Sequence, residues 1–128
     1  MAKTTQLTLS LESKPGVLAK VARTLADAGI NITGLHTSDA AGRGKIRLLV
    51  TDPMRAKEAL TAAKYRVSEE PAILLTLDNR PGALASVAEK LAQAKINVKC
   101  AYATTEGGRA TAVLVVSNTD KAQQVLGG

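Results

Sequence analysis

The sequence predicts an α+β fold made of two tandem strand–helix–strand–strand–helix–strand units, the second lacking its last strand. Three observations carry this. The chain aligns with itself without a gap when Leu11 is laid on Leu77. Within each copy, apolar residues recur first with a period of two and then with helical spacing. After Leu126 only Gly127 and Gly128 remain, too little for a closing strand. The expected division is residues 1–70 and 71–128.

The self-match is specific. Leu-Glu-Ser-Lys-Pro-Gly-Val-Leu-Ala from Leu11 falls on Leu-Asp-Asn-Arg-Pro-Gly-Ala-Leu-Ala from Leu77. Leu-Ala-Asp-Ala-Gly-Ile-Asn-Ile from Leu25 falls on Leu-Ala-Gln-Ala-Lys-Ile-Asn-Val from Leu91. Gly42 falls on Gly108 and Leu60 on Leu126. Two copies are too few for a solenoid and read as duplicated domains.

Each element follows from local pattern. Leu7, Leu9 and Leu11 alternate with polar residues, which predicts a strand with one buried face. Ile73 to Leu77 is its counterpart. A Pro-Gly pair follows, and proline suits a first helical turn because its missing N–H has no partner there. Val17, Leu18, Val21, Ala22 and Leu25 then recur at helical spacing, as do Leu84, Val87, Ala88 and Leu91. Gly29 is a good helix stop, and Lys95 at the matching place a poorer one. Second strands are expected over Ile30–Asp39 and Ile96–Thr105. Gly42 and Gly44, or Gly107 and Gly108, turn the chain into third strands at Lys45–Thr51 and Thr111–Ser117. Pro53 opens a helix carrying Ala56, Ala59, Leu60 and Ala63, and Tyr65–Ser68 is a short fourth strand. This order is the ferredoxin-like one, with both helices on one face of an antiparallel sheet. Glu69-Glu70-Pro71 is too short for a long linker. The two sheets are therefore expected to join edge to edge, through the second strand of each unit. The second unit's bare edge invites another chain, which predicts a homodimer.

Composition narrows the function. Of 128 residues 45% are apolar, but there is no Trp or Phe and only Tyr65 and Tyr102 as aromatics. The cores are therefore aliphatic and thin, and a unit of this size is marginal alone. Cys100 is the single cysteine, which excludes an intrachain disulfide and a thiolate metal cluster. It reads as a small buried residue. No apolar run is long enough to span a bilayer, and a soluble cytoplasmic protein is expected, with no membrane partner. The net charge is +6, but the basic residues are scattered among acidic ones, the pattern of a solvated surface. Nucleic acid is not an expected partner, because the third strands carry no aromatic on which a base would stack. His36 is the only histidine. It aligns with Tyr102 and reads as a partly exposed strand residue with no triad around it. No catalytic residue, metal site or cofactor is expected.

The candidate binding residues cluster at two places in each copy. A glycine opening a helix lets a ligand approach the free N–H groups, and the helix dipole favours an anion such as a carboxylate there. Those positions are Gly16 and Val17, and Gly82 and Ala83. Ser13, and Asp78 and Asn79, lie just upstream, able to cap the helix or touch a ligand. Asn31 and Asn97 open the second strands. The topology is expected to bring them near the Pro-Gly loop, where an amide offers both a donor and an acceptor.

Together these features resemble the ACT domain signature. A polar pair precedes Pro-Gly-x-Leu, then come a helix and Ile-Asn-Ile or Ile-Asn-Val, nearly the whole chain twice over. The resemblance implies small-ligand binding, often of an amino acid, at an interface between domains that associate side by side. Asp78-Asn79-Arg80-Pro81-Gly82 and Asn97 are similar to the serine-sensing motif of bacterial phosphoglycerate dehydrogenase. Asn79 and Asn97 match its two ligand-holding asparagines, while Leu77 stands where that family has histidine. In the first copy Ser13 replaces Asn79, and Gly16 and Asn31 are kept. The second set, Asn79, Gly82 and Asn97, is therefore expected to form the better site. The chain is similar to stand-alone tandem ACT proteins, which implies a regulatory sensor acting on a partner. The alternative is a regulatory subunit of an amino-acid biosynthetic enzyme, resembling the small subunit of acetolactate synthase.

Overall fold

A computed structural model of the chain describes residues 2–127. The elements are β1 (Ala2–Glu12), α1 (Val17–Asp27), β2 (Ile32–Ala40), β3 (Arg43–Val50), α2 (Pro53–Ala62), β4 (Val67–Asp78), α3 (Ala83–Gln93), β5 (Val98–Glu106), β6 (Arg109–Val116) and α4 (Thr119–Val125). They form two tandem ferredoxin-like units, and no strand follows α4 among the described residues. One compact unit is Thr5–Glu70. The other runs from Pro71 onward and includes the first residues of the chain, up to Thr4.

In the first unit β1 pairs antiparallel with β3, Leu9 opposite Ile46, and β3 pairs antiparallel with β2, Thr37 opposite Ile46. Alternation puts Leu7, Leu9, Ile46 and Leu48 on one face, where they meet Val21 and Leu25 of α1 and Ala56 and Leu60 of α2. In the second unit β4 pairs with β6 and β6 with β5. Ile73, Leu75, Ala112, Leu114 and Val116 pack there with Leu91 and Ala122. Both cores are aliphatic, as the composition requires.

The helix ends repeat as faithfully as the cores. Asp52 caps α2 by accepting from Arg55 N at 3.1 Å, and Asn118 caps α4 by accepting from Lys121 N at 3.1 Å. Pro53 takes the first helical position. The same basic residues close the preceding helices. Arg55 donates to Ala28 O beyond α1, and Lys121 donates to Ala94 O beyond α3 at 2.9 Å. A cation there meets the negative end of the helix dipole.

Several expectations are corrected. The strand read at Tyr65–Ser68 and the one at Ile73–Leu77 are a single strand, β4, and β1 begins well before the Leu7 alternation. The edge beside β4 is accordingly not bare: β4 has β6 on one side and β1 on the other. Polar stretches such as Ala2–Thr5 and Ser68–Glu70 carry no apolar signal, yet the backbone ladder needs only their N–H and C=O groups. The outer strands are β2 and β5. Each pairs with one neighbour within its own unit. Pro15 and Pro81 lie outside the helices, whose N-caps are Gly16 and Gly82. Cys100 is half-buried and not buried.

Gly29 and Lys95 end their helices at the same left-handed conformation, φ 74° and φ 60°. A side chain there costs about 1 kcal/mol or more relative to glycine. Lys95→Gly is expected to stabilise the protein by about 0.5–1 kcal/mol, and Gly29→Ala to destabilise it by a similar amount. An added Cβ at Gly29 meets nothing within 4 Å, so the cost is backbone strain alone. Urea denaturation of both variants tests this, and an unchanged midpoint for either contradicts it.

Candidate functional site

The β1–α1 connection turns sharply because Gly16 sits at φ 89°, ψ −9°, and its repeat Gly82 at φ 89°, ψ −12°. No side chain caps α1 or α3, so the expectation that Ser13 or Asn79 would do so is corrected. Both residues instead tie the loop to the facing hairpin. Ser13 N donates to Gly42 O at 2.8 Å, and Asn79 N donates to Gly108 O at 2.9 Å. The side chains continue the clasp in different ways. Ser13 Oγ donates to Asp39 Oδ2 at 3.1 Å, while Asp39 Oδ1 accepts from Gly42 N at 3.1 Å. Asn79 Nδ2 donates directly to Gly107 O at 3.1 Å.

In the first unit this arrangement borders a cleft of about 340 Å³. Its walls are the loop from Leu11 to Lys14, the first turn of α1 at Val17 and Leu18, and the hairpin residues Thr37 to Asp39 and Gly44 to Ile46. The volume is in the range of small-molecule sites. Ser13 and Val17 of the expected set line it, while Gly16 and Asn31 do not. Asp39 also lines the cleft, and sequence reasoning does not single it out. Nothing in its local sequence distinguishes it from a turn residue, and only the fold of the hairpin brings it to Ser13. In the second unit Asp78 ends β4 and lies 3.6 Å from Arg80 Nε, and Ala83 opens α3.

Asn31 and Asn97 are not near the loops of their own units. Asn31 O accepts from Thr51 N at 3.0 Å, and Asn97 O accepts from Ser117 N at 2.9 Å. Their own N–H groups donate to Thr51 Oγ1 at 3.2 Å and Ser117 Oγ at 3.0 Å. The clasped loops lie instead beside Gly42 and Gly108, at the other end of β3 and β6. From Arg109 to Ser117, at roughly 3.3 Å per residue, is about 26 Å. A helix that returns along the sheet starts its next strand at the far end, so Asn79 and Asn97 do not converge within one unit. Both Asn31 and Asn97 are exposed.

His36 is half-buried and faces Arg47 across the β2–β3 ladder. Among the described residues no group of three His, Cys, Asp or Glu is placed to hold a metal. Among the described residues no helix is long and apolar enough to cross a membrane.

With the paired units and their loops in view, the family is clear. The model of the ACT domain pair matches residues 2–127, and the chain belongs to that family. Protein BT0572 from Bacteroides thetaiotaomicron superposes with a TM-score of 0.93 at 32% identity, covering 98% of this chain and 87% of that one. The ligand-free regulatory subunit of aspartate kinase from Thermus thermophilus gives 0.70 at 16% identity, covering 99% of this chain and 96% of that one. The corresponding subunit from Thermus flavus gives 0.70 at 17%, covering 98% and 91%. These two share the fold. No protein of curated function matches in sequence.

The glycines at φ 89° are a direct test of the loop geometry. An added Cβ at either meets nothing within 4 Å. Gly16→Ala and Gly82→Ala are each expected to cost about 1–2 kcal/mol through backbone strain, measured by urea denaturation. A cost below a few tenths of a kcal/mol would show that the left-handed turn is not required.

Proposed function

We propose that this chain is a regulatory amino-acid sensor without catalytic activity, which modulates a partner protein. The observation that carries this is the uncapped N-terminus of α1, set beside a cleft that also holds the Ser13 hydroxyl and the Asp39 carboxylate. The helices α2 and α4 are capped by the side chains of Asp52 and Asn118, while α1 and α3 have no side-chain cap. An open helix end favours a carboxylate. Aliphatic Leu11, Val17 and Leu18 line the same cleft and suit a small side chain.

The finer reading places the ligand at an interface between ACT domains of two chains. Asn31 and Asn97 are exposed but remote from the loops of their own units, so an amide that serves the ligand comes from a neighbouring copy. The outer strands β2 and β5, each with one free edge among the described residues, are where such a copy adds. In this reading Asn97 meets a loop carrying Gly82 and Ala83, and Asn31 one carrying Gly16 and Val17. The regulatory-subunit alternative predicts co-purification with a large biosynthetic enzyme, whereas a free sensor does not.

A thermal-shift screen of the twenty amino acids is expected to yield a stabilising ligand, since one present at a hundred times its Kd adds about 2.7 kcal/mol to the native state. Asn97→Ala is then expected to weaken that ligand about ten- to a hundredfold in a calorimetric titration. Light scattering is expected to report a dimer at micromolar concentration. No stabilising amino acid would overturn the sensor reading, and a monomer with full affinity would overturn the interface.

A further inference from the structure

The two units make the same clasp between loop and hairpin by different chemistry, and the difference acts as an internal control. In the second unit the neutral Asn79 amide reaches Gly107 O by itself. Thr105, the repeat of Asp39, brings no carboxylate there. The clasp therefore needs no charge. In the first unit the link runs through Asp39, which accepts from Ser13 Oγ and Gly42 N. A carboxylate oxygen accepts more than one hydrogen bond, so each oxygen of Asp39 retains acceptor capacity. Asp39 also lines the cleft on the side facing Ser13 and the first turn of α1.

Among the described residues no cation forms an ion pair with this carboxylate. Lys14 Nζ lies 3.7 Å from Glu12 Oε2, a pair on the loop itself. Lys45 lies opposite Ser38 and Ser10 in the ladders, and alternation turns its side chain away from the face that carries Ile46 and Leu48.

We propose that Asp39 is the residue by which the first unit's cleft selects ligands bearing a free primary ammonium group, a selection the second unit does not make. This rests on the amino-acid reading above and refines it. The carboxylate of an α-amino acid lies against the open N-terminus of α1, and its ammonium donates to Asp39. A 2-hydroxy acid of the same shape offers the helix the same carboxylate and offers Asp39 only a neutral hydroxyl.

The test uses the full chain and calorimetric titration. The probes are the amino acids that bind wild type, each paired with its 2-hydroxy acid, as L-lactate for L-alanine. Wild type is expected to prefer the amino acid by roughly tenfold or more. Asp39→Asn keeps an acceptor for Gly42 N and a group able to bond Ser13, so the hairpin is retained. It is expected to weaken the amino acid by roughly tenfold while leaving the 2-hydroxy acid unchanged. Thr105→Asp, which leaves the first unit untouched, is expected to add ammonium selectivity to the second. Amino-acid binding with undiminished preference in Asp39→Asn would overturn this proposal and leave the sensor reading standing. A chain that binds no amino acid at all would overturn both.

Discussion

The left-handed turn at Gly16 and Gly82 fixes most of the geometry of each unit. At φ 89° it sends the chain from the end of a strand into a helix that runs back along the sheet. It also leaves each helix without a side-chain cap, because the residue at the cap is glycine. Returning helices then place the next strand's start at the far end of the sheet. The helix start and the exposed asparagine of the same unit thus lie toward opposite ends of the sheet. The turn thus separates the candidate loop from the candidate amide of the same unit.

Around that turn the duplicated elements have diverged unevenly. Helix capping is nearly unchanged between copies: Asp52 and Asn118 perform the same task, as do Arg55 and Lys121. Loop closure is also kept, since the bonds to Gly42 O and Gly108 O are equivalent. Side chains at the clasp differ in character. Ser13 and Asp39 in the first copy correspond to Asn79 and Thr105 in the second. Constraints on folding act on both copies alike, because each must bury its own thin aliphatic core. Those on ligand chemistry act on each site separately.

The fold was legible because its signals are local and repeated. Leu9 and Leu75, and Leu25 and Leu91, occupy matching core positions, and each is visible from periodicity alone. Strand length was not legible. Glu70 looked like part of a connection, yet it lies inside β4, where its carboxylate accepts from Gln6 Nε2 and Thr8 Oγ1, both at 2.9 Å. Gln6 is fully buried, a position the alternation of Leu7 and Leu9 would have assigned to a solvated face. A buried amide needs hydrogen bonds, and its partner here lies 64 positions away in sequence. No local pattern encodes such a contact.

The candidate site shows the same limit more sharply. The motif located Ser13, Gly16 and Asn79 at the strand-to-helix loops, since all lie within a few residues of the turn. It misjudged Asn31 and Asn97, because nearness to a helix end in sequence is not nearness to the helix start in space. It missed Asp39, which stands 26 positions from Ser13 and reaches it only through the β2–β3 hairpin. The motif match also favoured the second unit, whose Asn79 gives one of its two amide N–H donors to Gly107 O. That clasp involves no carboxylate. In the first unit, by contrast, the serine hydroxyl and the aspartate are already aligned with each other and with the cleft. Preorganised polar groups cost less to bring onto a ligand, so the weaker match to a known motif has the better-arranged chemistry.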